Sequence, residues 1–318
     1  MSPQLDVNAI SKHFLARAKQ KASVKMAVVH PCSRDSLQGA IDAANAGLIE
    51  PIFIAPTAKI TAIAAEAGID LSIYTLIDVP HSHAAAAKAA ELAREGKVEA
   101  LMKGSLHTDE LMSAVLKREN GLRSERRISH VFVMATANYH KTFFITDAAI
   151  NINPDLLTKR DIVQNAIDLF AAISENESIP KVAILAAVES VNPEMQSTVD
   201  AACLCKMADR GQIQGGILDG PLAYDNAISK EAADIKGIKS LVAGDADIFL
   251  APDLESANML AKQLILLADA SSAGVIVGAK VPIVLTSRSD DAESRLASCA
   301  IVALMADAKK RGLLTFSK

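Results

Sequence analysis

The sequence has 318 residues, contains no tryptophan, and is only 3% aromatic, although half of it is hydrophobic. Alanine, valine, isoleucine and leucine must therefore fill the interior, the composition that many helices packed on a sheet require. Cysteine is also scarce. Cys32, Cys203, Cys205 and Cys299 do not make a disulfide framework, and they read as reduced thiols of a cytoplasmic protein. Positive charge is not in excess. The net charge of -4 argues against a nucleic-acid surface but leaves room for a small anionic metabolite. No run approaches the ~18–20 apolar residues that span a bilayer, and the first thirty residues lack the apolar core of a signal peptide.

Several motifs are missing. There is no G-x-G-x-x-G and no G-x-x-x-x-G-K-[ST], so neither a nicotinamide cofactor nor a P-loop nucleotide is indicated. The G-x-S-x-G elbow of serine hydrolases is absent too. His81 and His83 have no obvious third ligand and read as a solvated pair rather than a metal site.

What is present is a rhythm. Strand-like runs at 25–29, 50–54, 75–79 and 100–102 alternate with helix-length segments at 33–46, 57–67 and 83–95. Later strands are expected at 129–135, 142–146, 181–186, 214–219, 247–250, 274–277 and 283–285, and a long helix at 292–311 closes the chain. This alternation predicts an α/β protein of about two domains, with mainly parallel sheets flanked by helices.

Ligands of open α/β sheets sit beyond the carboxyl ends of strands. Four polar loops fall at such exits. Lys103, Gly104, Ser105, His107 and Thr108 form a strand-to-helix turn whose free amides suit a phosphate oxygen, or simply an ordinary capped turn. Asp219, Gly220, Pro221, Asp225 and Asn226 follow a strand, with Asp219 either orienting a ligand or bonding the turn backbone. A third loop runs from Ala251 into a helix whose first turn carries Asn258. The fourth is Ser287, Arg288, Ser289, Asp290 and Asp291, where a hydroxyl beside a guanidinium can address an anion or a developing oxyanion. The bland reading of this last loop is a helix cap with surface ion pairs. Recurrence at four strand exits favours one crevice, shared by the turns near positions 104, 220, 254 and 288.

The segments MKGSLHT, FITDAAINI, PKVAILAAVESVNP, GGILDGPLAYDNAIS, GDADIFLAPDLESANML and AGVIVGAKVPIVLTSR resemble those of the phosphate acetyltransferase/phosphate butyryltransferase family. The wording VGAKVPIVLTSR leans to the butyryltransferase branch. The resemblance implies reversible transfer of a short acyl group, acetyl or butyryl, between coenzyme A and inorganic phosphate through a ternary complex. It implies a fold of the isocitrate/isopropylmalate dehydrogenase type with an interdomain cleft. The expected domains are 1–136 with 282–318, and 137–281. It further implies a homodimer with no cofactor, coenzyme A being a substrate.

By the same resemblance, Ser287 and Arg288 match the Ser-Arg pair beside the reacting carbonyl and phosphate. Acetyltransferases place an aspartate seven residues past that serine, where this chain has Ser294, so Glu293, Asp290 or Asp291 is left to deprotonate the thiol. They also carry an arginine where this chain has Met112. Two alternatives stand beside this reading. One is a metal- and NAD-dependent dehydrogenase on the same architecture, with Asp219 and Asp225 as nominal ligands. The other is a catalytically weakened homologue that binds coenzyme A.

Overall fold

Near-continuous apolar strands and alanine-rich helices set the architecture, seen in a computed structural model that describes residues 9–174, 178–286 and 290–313. In chain order the first elements are α1 (Ala9–Ala18), β1 (Val24–Val29), α2 (Arg34–Asn45), β2 (Ile49–Ala55), α3 (Thr57–Ala67), β3 (Thr75–Asp78), α4 (Ser82–Arg94), β4 (Ala100–Lys103) and α5 (Thr108–Val115). Five strands and their helices follow: β5 (Ser129–Ala135), β6 (Phe143–Thr146), α6 (Leu156–Ser174), β7 (Lys181–Leu185), α7 (Gln196–Asp209), β8 (Ile217–Leu222), α8 (Tyr224–Ile228), α9 (Lys230–Ile235), β9 (Ile248–Leu250) and α10 (Leu254–Leu267). The chain then returns through β10 (Ser271–Val277), β11 (Ile283–Val284) and α11 (Ala292–Lys310).

Two compact units result. A split unit consists of Ser11–Arg126 completed by the segment from Ala273 onward, and a central unit is built on Arg127–Ser272. The sequence reading sets these bounds at 137 and 282. The difference at the first bound follows from β5 and β6, which are hydrogen-bonded antiparallel neighbours (Val131 opposite Thr146) and stay in one unit.

In the split unit the strands lie in the order β3-β2-β1-β4-β11-β10. All are parallel except β10, which runs against β11 with Val275 opposite Val284. The strand sequence VKMAVV of β1 is buried at five of six positions, because helices cover both faces of a parallel sheet. Parallel pairing brings Val29 opposite Lys103 and Val284 opposite Met102, so β1, β4 and β11 end on the same edge.

In the central unit the order is β5-β6-β9-β7-β8. Its core holds Phe143 and Phe249 edge to face at 5.6 Å, with Tyr139 donating its hydroxyl to the Ala246 carbonyl at 2.7 Å. Asp219, Gly220 and Pro221 were expected in a turn after a strand, yet they lie inside β8. Pairing with β7 runs Ala183 to Asp219 and resumes at Leu185 with Leu222, across a register shift. Proline and glycine are tolerated there because β8 ends the strand order and the irregularity spares a ladder bond.

Candidate active site

Three strand ends of the split unit converge on one cavity. Its volume is about 370 Å³, and Met102, Lys103, Gly104 and Ser105 from the β4 exit form one wall. Thr286, which leaves β11, lies on it as well, and so do Cys32 and Ser33 after β1. Asp35 and Ser36 from α2, Lys59 from α3 and Arg295 from α11 complete the lining. The position is the carboxyl edge of a parallel sheet, where such sheets bind their ligands.

The β1 and β4 exits are locked to each other. Gly104 donates to the Val29 carbonyl at 2.9 Å, and a Cβ at position 104 would stand 2.4 Å from that oxygen. Only glycine fits so close an approach. His30 turns the chain with φ of 52°, and its carbonyl accepts from the amides of Cys32 and Ser105 and from Ser105 Oγ. Burial, reinforced by Lys59, lowers the His30 pKa and keeps its ring neutral. Burial raises the pKa of the Cys32 thiol, so it is not a thiolate nucleophile at neutral pH.

Lys103, Gly104 and Ser105 are thus brought together on the cavity. His107 and Thr108 are not on its lining; they open α5, where the Glu110 carboxylate accepts from the His107 amide at 3.2 Å. Met112 is buried in that helix. His81 accepts from the Ala84 amide to cap α4, and His83 pairs with Glu110 at 3.3 Å, so each has a structural use.

Ser287 and Arg288 lie outside the described residues, directly after Thr286. Beyond them, Asp290 is half-buried, and Glu293 is exposed in the first turn of α11. Asp291 is the N-cap of α11, its carboxylate accepting from the Ser294 amide at 2.7 Å. That capping bond gives Asp291 a structural task and makes Ser294 its donor.

In the central unit, Asp219 accepts from the Gly220 amide at 2.8 Å. A Cβ at Gly220 would meet Ile184 Cβ and its carbonyl at 2.7 Å, so this glycine serves strand packing. Asp225 is exposed and faces Lys236 at 3.3 Å. Asn226 is fully buried, with Nδ2 donating to Glu189 and Oδ1 without a hydrogen-bond partner among the described residues. Asn258 donates to the Ala148 carbonyl at 3.0 Å. The FITDAAINI segment also proves structural in part. Asp147 accepts from the amides of His130, Ala149, Ile150 and Asn151, and from the Asn151 side chain.

Sequence reading missed Ser33, Ser36, Lys59 and Arg295 as members of the site. A signal existed for the first two: Ser33 follows the β1 exit and caps α2, accepting from the Ser36 amide. No local pattern marks Lys59 or Arg295.

The family described as "Phosphate acetyl/butaryl transferase" matches residues 81–303. The chain belongs to this family. A phosphate acetyltransferase of Rhizobium meliloti is 61% identical over 293 residues, covering 92% of each chain. A phosphate butyryltransferase of Clostridium acetobutylicum is 42% identical over 297 residues, covering 93% of this chain and 98% of that one. Identity is thus higher to the acetyltransferase, against the butyryltransferase leaning of the segment VGAKVPIVLTSR. Among solved structures, a branched-chain phosphotransacylase from Enterococcus faecalis V583 superimposes with a TM-score of 0.76 at 31% identity, covering 89% of this chain and 99% of that one. As a member of the family the protein is a phosphate acyltransferase, with an α/β fold of mostly parallel strands flanked by helices. Nothing in these relationships favours the dehydrogenase alternative.

Proposed function

We propose that the cavity at the exits of β1, β4 and β11 is where the protein moves a short acyl group between coenzyme A and inorganic phosphate. One observation carries this reading: Thr286, the residue before Ser287 and Arg288, lines the same cavity as Lys103, Gly104 and Ser105. In the direction of acyl phosphate synthesis, a phosphate oxygen attacks the thioester carbonyl, the new C–O bond forms, the C–S bond breaks, and coenzyme A leaves as thiolate and is protonated. Both substrates are held at once, with no acyl-enzyme. Arg288 holds phosphate through paired N–H donors, and Ser287 donates to the oxygen that turns negative. In reverse a thiol of pKa about 8.5 must lose its proton, the task assigned to Glu293 or Asp290. Lys103, Gly104, Ser105, His107 and Thr108 serve the phosphate side. Asp219, Gly220, Pro221, Asp225, Asn226 and Asn258 serve the remainder of the substrate. No redox or metal cofactor enters this chemistry.

The finer fold assignment, two domains of the isocitrate/isopropylmalate dehydrogenase type, belongs to the same proposal. A cytoplasmic location agrees with four free cysteines, and among the described residues no helix is long and apolar enough to cross a membrane. A homodimer agrees with α10, which leaves Met259, Leu266 and Leu267 largely exposed; light scattering on the purified protein tests it.

The reaction is tested by free-thiol release from acetyl-, propionyl- and butyryl-CoA with and without phosphate. Release that requires phosphate supports the proposal, and the rate order gives the preferred acyl length. Release of equal rate without phosphate contradicts it. No release under either condition identifies the weakened, binding-only homologue.

A further inference from the structure

We infer that Arg295 seats the phosphate dianion in this cavity, and that Gly39 exists to let it do so. The inference rests on the cavity being the phosphate side of the acyl-transfer site. Arg295 leaves α11 in the turn after Asp291 and is only 9% exposed. Among the described residues its guanidinium has no ion pair or hydrogen-bond partner, although it lines the cavity.

A buried cation without a counter-charge is strongly unfavourable, so a guanidinium in this state points to a ligand that supplies the charge. The surroundings add to the positive potential. The amino-terminal turn of α2 lines the same cavity through Ser33 and Ser36, and helix amino termini favour anions. Lys103 is buried on the β4 wall and Lys59 stands exposed at the α3 side. The one carboxylate on the lining, Asp35, is exposed. It opposes an anion and separates from Arg295 by more than ion-pair distance. A planar guanidinium addresses two oxygens of a tetrahedral phosphate at once, which an ammonium does not.

Gly39 gives the arrangement a second, independent mark. It is buried in the middle of α2, where glycine weakens a helix. A Cβ there would stand 2.8 Å from Arg295 Cδ, with Arg295 Cβ and Cγ at 3.7 and 3.8 Å. The missing side chain is therefore the groove along which Arg295 reaches the cavity. The three atoms nearest to that Cβ all belong to the Arg295 side chain.

The tests are Arg295→Gln, Arg295→Lys and Gly39→Ala in the full chain, with phosphate and acyl-CoA varied independently. Arg295→Gln is expected to raise the KM for phosphate about tenfold or more, the loss of a charge-assisted contact, while the KM for acyl-CoA stays within about twofold. Arg295→Lys recovers part of the loss. Gly39→Ala reproduces the effect and adds little to Arg295→Gln. A readout free of turnover is the rise in Tm of the unliganded protein on adding inorganic phosphate at constant ionic strength, which Arg295→Gln should abolish. An unchanged phosphate KM in a folded Arg295→Gln variant overturns the inference. A rise confined to the KM for acyl-CoA also overturns it, assigning the cation to a phosphate of coenzyme A. If no acyl-CoA is turned over but phosphate still stabilises the protein through Arg295, the anion seat stands and the acyl-transfer reading fails.

Discussion

Ser105 donates twice to the carbonyl oxygen of His30, from its amide at 3.0 Å and from its hydroxyl at 3.1 Å. Seventy-five positions apart in the chain, the exits of β1 and β4 are held as one rigid corner. The corner fixes the wall that carries Lys103 and Gly104, so the cavity is shaped before any ligand arrives.

Substitution at this corner separates its two devices. Ser105→Ala removes one of two donors to an oxygen that keeps the other, and should destabilise the protein by about 1 kcal/mol. Gly104→Ala drives a Cβ against backbone oxygens of Val29 and His30 and should cost about 2–3 kcal/mol, with loss of turnover. Urea midpoints of the two variants check the order.

Ser287 and Arg288 should separate kinetically. Arg288→Ala is expected to raise the KM for phosphate by roughly 10- to 100-fold, the worth of a hydrogen bond to a charged group. Ser287→Ala should instead lower kcat by about 100-fold, as loss of one oxyanion donor does. Initial rates over a grid of both substrates measure the split; near-wild-type constants in both variants remove these roles.

In the central unit Lys159 and Asp200 form an ion pair at 2.7 Å with side chains 7% and 6% exposed. Asp200→Ala strands a buried ammonium and should destabilise by about 3–5 kcal/mol. The double substitution Lys159→Met with Asp200→Leu should recover most of that loss. Chemical denaturation of the three proteins tests it, and additive losses would contradict it.

Burial pulls the His130 pKa down to about 3, against an ordinary value of 6.5. The folded protein therefore keeps this ring neutral where the unfolded chain binds a proton. Stability attributable to His130 is full above pH 6.5 and falls as pH drops from 6.5 towards 3. The slope is at most about 1.4 kcal/mol per pH unit. His130→Phe, which keeps the edge-to-face contact with Phe132, should flatten that slope; unfolding curves at several pH values between these limits decide.

The features written locally were legible in the sequence. Strand β1, the β4 exit at Lys103, and α4 announce themselves through apolar runs and the turns that follow them. Gly220 and Pro221 misled, because turn chemistry reads the same in a tight turn and in an irregular edge strand. Asp147, embedded in a segment with family character, is occupied with backbone amides. Arg295 was invisible for another reason. Its meaning depends on Gly39, 256 positions earlier, and on a sheet edge assembled from three strands, and no spacing rule connects them.

The most direct test of the cavity as the reaction site is to fill it. Ser36→Trp places an indole on a lining position that is half-buried in α2 and outside the strand corner. Phosphate-dependent thiol release from acyl-CoA should be abolished while circular dichroism and Tm stay near wild type. A folded Ser36→Trp protein with undiminished phosphate-dependent release would show that acyl transfer takes place elsewhere.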